Sequence, residues 1–596
     1  VVNDGQLIIG DDAEVHVASD EFSPVGLINR SEFDLLGGDL VGSLANEFGA
    51  QASAHGRIEG ELNNFGHLDV TGSLTVAGMV RNFGEVEIGE LEALRGGGTL
   101  LTGIESGGEL DGELPSSAWE NTGELRLAGG VIEPLIGLRN AGGGRIEGHG
   151  TIGAATFFVE TYNEGGVIHA NVPDEALTFT SLATNVEGGQ ILIEAGATVR
   201  TLASPNSIET EGMLNRGEIA LRGEGAEFVG EAVVSYGTIH GRGRVAADLV
   251  NHGVLRAEGG RLTVSGEFAT NGPEVLGGGD GTEGVGRIVV ENGATLVATQ
   301  GLQANSGHIA LAGGEFDNNG QDLTNTDAGV IGGWGAFRAG TVHNDGLIDF
   351  ADEPTTVFSH VFNTGRIEVD GNTTTVFGDI TNDATGVINV NNGELRVFGD
   401  LVNNGAVVTD PTIVEVNEFI NGETGYVVSD PGDRFVIHGD LHSSSTEDLK
   451  WSTGGAVLAF EGGALHEFSL TGDDLGPTVA GLANNFAWGT LQLAAGESLV
   501  LTDANGGDAG DAALYLSRLT LDGGLEQLAL IDSSGLNIYY DPAHSANDYL
   551  NAETYDLNGG GFLQPIPEPT TLALLALGGL PLMRRAGNRR RTRRAN

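Results

Sequence analysis

Four oxygen-bearing side chains crowd one short glycine-rich stretch: Asp503, Asn505, Asp508 and Asp511. Oxygen ligands on a pliable loop suit Ca2+, a hard cation that accepts carboxylates and amides in loose geometry. The spacing departs from a helix-loop-helix calcium site, which needs Gly at its sixth position and Glu at its twelfth. A plain acidic turn is the competing reading. Asp69 and Glu87 lie one repeat apart, where they form either a carboxylate pair or two solvated side chains. The 14 histidines are scattered, with no His-x-x-x-His or HExxH pattern. His240, His252, His343 and His360 read as loop or surface residues. No Gly-x-Ser-x-Gly elbow and no phosphate-binding loop occurs. Trp119, Trp334, Trp451 and Trp488 would stack on sugars if exposed and otherwise fill a core or cap.

Composition narrows the chemistry further. There is no cysteine, which excludes disulfides, thiol catalysis and Cys-ligated metals. The net charge is −55, and seven of the 28 basic residues fall in the last 13 positions, so the body is more acidic still. Such a body repels nucleic acid and anionic lipid. The 99 glycines, with only 15 prolines and 6% aromatics, fit many tight turns between short strands.

Those strands come in a repeat. The phrase Asn-x-Gly followed by alternating apolar residues recurs at Asn64, Asn82, Asn121, Asn140, Asn215 and Asn251. From Asn305 it recurs at Asn325, Asn344, Asn363, Asn382, Asn403 and Asn421, at intervals of 18 to 21 residues. Two of these, at Asn325 and Asn382, insert two residues before the Gly. Asn and Gly both tolerate left-handed backbone, so the phrase predicts a corner. Arg366-Ile367-Glu368-Val369-Asp370 alternates with period 2, burying Ile367 and Val369 on one face. Thr375 to Ile380 reads as a second short strand. A unit of ~19 residues cannot fold alone; stacked units bury a continuous core.

The predicted fold is therefore all-β: a parallel β-helix or β-solenoid over 1–440, with a chain of antiparallel sandwiches as the alternative. The repeated Asn either stacks into an internal ladder or serves only the turn. The Asn-x-Gly register fades after about Asp440, which predicts a terminal β-module or cap over 441–550 and a linker over 551–569. The N-terminus, Val1-Val2-Asn3-Asp4-Gly5, reads like the middle of a repeat, so a fragment or a processed chain is expected.

The C-terminus is different in kind. Pro567-Glu568-Pro569 precedes the uncharged segment 570–583, followed by Arg584, Arg585, Arg589, Arg590, Arg591, Arg593 and Arg594. As a helix, that segment would span ~21 Å, short of a ~30 Å hydrocarbon core. Its arginines would hold one end in the cytoplasm and leave the acidic body outside. The prolines keep the preceding peptide extended, as a membrane-embedded protease requires.

This three-part tail resembles the PEP-CTERM sorting signal of Gram-negative bacteria. Pro567, Glu568 and Pro569 match its motif, 570–583 its apolar helix and 584–594 its basic end. The resemblance covers roughly 30 residues. It implies recognition by an exosortase-type processing enzyme, a transient tether in the inner membrane, and loss of the tail. The repeats are also similar to those of tailed proteins from planctomycete-like bacteria, which implies an exported matrix-type protein. The expected role is structural or adhesive, at the cell surface or in a biofilm, with extracellular polysaccharide as a partner and no cofactor beyond Ca2+. The alternative is a polysaccharide lyase or hydrolase working on the solenoid flank. A barrel-anchored adhesin would end in amphipathic strands of ~10 residues, which this chain lacks.

Overall fold

A coil of this protein is made of three short strands. In one turn they are Leu401–Asn403, Ala406–Asp410 and Ile413–Val416. In the next they are Phe419–Asn421, Tyr426–Ser429 and Arg434–Ile437, each lying parallel on its predecessor. The computed structural model describes residues 1–17, 26–89, 93–96, 119–134, 137–153, 160–180, 182–202, 213–272, 286–504 and 512–567. The chain is 63% strand and 3% helical and forms a parallel β-solenoid of about 23 turns. Among the described residues the helices are 3-10 turns, such as Val479–Leu482 and Ser545–Leu550. The predicted apolar helix at 570–583 and the arginine tail lie outside the described residues.

The chain divides into two compact units. One comprises Val1–Thr324 with Ala328–Val330 and Arg338–Gly340; the other comprises Asn325–Asp327, Ile331–Phe337 and the rest from Thr341. Each follows the same plan. Period-2 alternation sends every second side chain inward, so Leu401 and Asn403 are buried while Val402 is half-buried. The apolar interior of the second unit includes Ile348, Phe350, Ile367 and Val376.

The repeated asparagines point inward and form ladders. In the first unit each Nδ2 donates to the Oδ1 of the next coil from Asn29 through Asn46, Asn64, Asn82, Asn121, Asn140, Asn163 and Asn185 to Asn215, at 2.8–2.9 Å. In the second unit the ladder runs from Asn325 through Asn344, Asn363, Asn382 and Asn403 to Asn421, at 2.7–2.8 Å. The leftover amide hydrogen finds backbone: Asn382 also donates to Gly386 O and Ala406 O. A buried amide left unmatched costs about 1–3 kcal/mol per group, so the ladder satisfies in one stroke what would otherwise destabilise every coil.

Two local expectations are corrected. The Gly of Asn-x-Gly does not adopt left-handed backbone at Gly66, Gly84 or Gly253. Its role is close approach. A Cβ on Gly84 would sit 2.1 Å from Gly66 O, and one on Gly253 would sit 2.0 Å from Gly237 O. Where two residues are inserted, Gly386 takes the same place, 2.4 Å from Asn363 O on the same measure. The stretch from Thr375 to Ile380 is not one strand. It is a corner at 377–379 between Thr373–Val376 and Ile380–Asn382.

Parallel stacking continues beyond Asp440. Leu441–Ser443 stacks on Phe419–Asn421, and the series runs to Phe562–Pro565 on Asn537–Tyr540. Tyr555–Asp556 then folds back antiparallel on Phe562–Pro565, blunting that strand's free edge. Thus 558–561, within the predicted linker 551–569, is the turn of a hairpin, and Ile566 is 3% exposed in the core beside Tyr515 and Tyr539.

Candidate functional site

Of the proposed calcium ligands, Asp503 ends the strand Ser498–Asp503 with an exposed side chain; Asn505, Asp508 and Asp511 lie outside the described residues. Among the described residues no group of three or more His, Asp or Glu is gathered as metal ligands. Pro567 is exposed, one residue after the buried Ile566; Glu568, Pro569 and the seven tail arginines lie outside the described residues. Among the described residues no helix is long and apolar enough to cross a membrane.

Asp69 and Glu87 do stack as register partners on adjacent coils, as a solenoid dictates. The tryptophans Trp119, Trp451 and Trp488 are buried, and Trp334 is half-buried. His343 and His360 are exposed and His240 is half-buried, all on strands. His252 corrects the surface expectation. It is 6% exposed, with Nδ1 2.6 Å from Gly272 O and its ring stacked on Tyr236 at 4.9 Å.

A dense polar cluster lies on the outer face of the first unit, where in-register coils bring acids and bases into rows. Arg126 pairs with Glu85, with Glu124 at 3.0 Å and with Glu147 at 3.1 Å. Arg145 lies 2.7 Å from Glu147 and against His169, whose Nε2 is 3.0 Å from Glu194. Burial and the neighbouring Glu147 push the Glu124 pKa up. Burial also works against ionisation of Glu147, but hydrogen bonds from Arg145 and Arg126 outweigh it and hold that pKa below the ordinary value. Two carboxylates pushed apart in this way are a familiar acid–base arrangement. Here, however, Glu124 and Glu147 are both held by the Arg126 guanidinium, at 3.0 and 3.1 Å. The charges are spent on one another across coils.

A further polar feature has a signal that the sequence reading passed over. In Gly378-Asp379-Ile380, Gly399-Asp400-Leu401 and Gly439-Asp440-Leu441 an acid stands just before the ladder strand. Asp379 Oδ1 accepts the Asp400 N–H at 3.0 Å, and Asp440 Oδ1 accepts that of Glu467 at 2.7 Å. These acids tie corner to corner. On the same corner Phe358, Phe377 and Phe398 stack face to face, with centroids 5.1 and 4.8 Å apart.

No family model matches the chain, and no curated protein shows a significant match to it.

Proposed function

We propose that this protein is an exported structural or adhesive component of a cell surface or extracellular matrix, sorted through its C-terminal tail. The observation that carries the reading is the tail itself: Pro567-Glu568-Pro569, the uncharged 570–583 and seven following arginines. The exposed Pro567 supports it, because a recognition motif must be accessible to its enzyme. The acid–base rows support a structural role over polysaccharide cleavage. Their carboxylates are engaged between coils, as where Arg126 holds both Glu124 and Glu147.

On this reading an exosortase-type enzyme is the processing partner and the inner membrane a temporary host. Extracellular polysaccharide is the surface ligand class, and Ca2+ at Asp503, Asn505, Asp508 and Asp511 is an accessory. Mass spectrometry of the C-terminus from native cells tests it. The expected result is an exported chain ending near Glu568. An exported chain that keeps its arginine-rich end would refute the sorting role.

A further inference from the structure

The interior ladder of the first unit lapses at one coil. Ser235 occupies the register between Asn215 and Asn251. Asn215 Nδ2 still donates to Ser235 Oγ at 3.0 Å. Ser is too short to continue the chain, and Asn251 Oδ1 is left buried without a protein partner. Beyond it the ladder resumes, Asn251 donating to Asn271 at 2.7 Å.

The outer wall of the same three coils carries a different fastening. His240 lies between two carboxylates, with Nε2 2.8 Å from Glu218 on the coil before and Nδ1 2.6 Å from Glu258 on the coil after. Two carboxylates can accept from both ring nitrogens only when both carry protons, so the doubly bonded ring is the imidazolium. The other charged groups around it are accounted for. Arg256 stands opposite His240 in register, with Nη1 3.6 Å from Glu291. Arg222 on the preceding strand engages Glu194 at 3.2 Å. Gln190 donates to the second oxygen of Glu218 at 2.7 Å. Arg242 on His240's own strand donates to Gly259 O.

We propose that the coils from Glu218 to Val264 form a pH-sensitive seam, in which the Glu218–His240–Glu258 clasp holds on the outside what the amide ladder does not hold at Ser235. Burial alone would lower the His240 pKa, but the bonds to Glu258 and Glu218 outweigh it and raise it above 6.5. Burial raises Glu218, and the bonds from His240 and Gln190 overcome it, lowering that pKa below 4.5. A raised histidine contributes fully below 6.5 and loses its contribution as pH climbs through the folded value. The lowered carboxylate sets the opposite limit: its contribution is present above 4.5 and is lost as pH falls through its folded value. The seam is therefore tight in mildly acidic solution and loosens in alkaline solution.

Amide hydrogen exchange on the full chain at pH 6 and pH 8.5, expressed as protection factors, tests this. Peptides covering 238–264 are expected to lose protection by up to about tenfold per pH unit between 6.5 and the folded His240 pKa, and to level off above it. Peptides covering 44–64, where Asn46 donates to Asn64, are the reference. In His240→Gln the ratio between the two regions is expected to be low at both pH values. In Ser235→Asn, which supplies the missing rung and leaves His240 intact, protection of 238–264 is expected to rise at both pH values. A wild-type ratio that does not change with pH overturns the proposal. So does a pH dependence that survives in His240→Gln, or a Ser235→Asn variant in which protection of 238–264 does not rise.

Discussion

Between Asn344 and Asn421 the second unit lines one corner with asparagine, while from Leu441 to Ile566 it sets large aromatic rings among the aliphatic side chains of its interior. In the first region every coil contributes the same amide at the same depth. In the second, Trp488 meets Phe435 edge-on at 5.5 Å and Trp451 at 5.9 Å, and Tyr515 stacks on Tyr539 at 4.8 Å. Several rings there also have their own polar partner. Trp451 donates to Thr453 at 2.8 Å, Tyr539 to Asp474 at 2.8 Å and Tyr540 to Glu553 O at 2.9 Å. A ladder demands identical coils and has no natural end; individually satisfied aromatics permit unequal coils and let the stack stop.

The sharpest way to break this contrast is through the glycines. A Cβ on Gly405 would lie 2.2 Å from Gly386 O and 2.4 Å from Asp383 O, both backbone, so two coils must part. Gly405→Ala is expected to cost roughly 3–5 kcal/mol in denaturant unfolding. Gly454, in the closing coils, has nothing within 4 Å of the same construction. Gly454→Ala should stay within about 0.5 kcal/mol. Equal losses would remove close coil approach as the reason for the repeated glycine.

Asparagine comes next. Asn403→Ala takes away the acceptor of Asn382 and the donor to Asn421, leaving two buried amides short of a partner. A loss of about 2–4 kcal/mol is expected. Ser443 holds the register position after Asn421, where the ladder has ended. Ser443→Ala should cost less than about 1 kcal/mol on the same measurement. A cheap Asn403→Ala would mean that the asparagines serve only their turns.

The closing region has its own signature in alkali. Tyr515 OH donates to Gly476 O and accepts the Leu475 N–H, each at 2.8 Å, and burial pushes its pKa up to about 12. A phenol raised in this way contributes below pH 10 and loses that contribution as pH rises through about 12. Titration of phenolate absorbance should therefore show a late class of tyrosines that ionises together with loss of the closing coils. Tyr515→Phe, which gives up two hydrogen bonds, should cost about 1–2 kcal/mol at neutral pH. Ladder coils should be unaffected by the substitution.

The ladder region was legible in the sequence and the closing region was not, for the same reason. A ladder writes its rule once per coil, so Asn325 to Asn421 announces both the strand period and the stacking partner. The sequence left open whether those asparagines pack inward, because a turn asparagine and a ladder asparagine leave the same trace. Their burial at 0–1% exposure decides it in favour of the ladder. The glycine was assigned to backbone conformation when its constraint is the neighbouring carbonyl, which no single coil contains. Asp379, Asp400 and Asp440 recur after glycine but look like solvated acids until their donors on the next coil are seen. His240, Glu218 and Glu258 carry no motif, since their meeting depends on register across coils of unequal length. In the closing coils Tyr515 reaches back to Gly476, and each contact of that kind is made once.

The smallest expected effect separates stability from surface role. Phe398 is 64% exposed at the end of the Phe358–Phe377–Phe398 stack, so one face of its ring has no aromatic neighbour in that stack. An aromatic pair adds about 0.5–1.5 kcal/mol beyond the area it buries, and exposure places this pair at the low end. Phe398→Ser should therefore cost about 0.5 kcal/mol in denaturant unfolding. Phe377→Ser, which breaks both stacking contacts, should cost about twice that. If both substitutions cost nothing, the stack does not hold coils together, and the ring edges at Phe377 and Phe398 are then maintained for what they present to the outside. If Phe377→Ser costs as much as Asn403→Ala, the outer wall shares equally with the inner ladder in holding these coils.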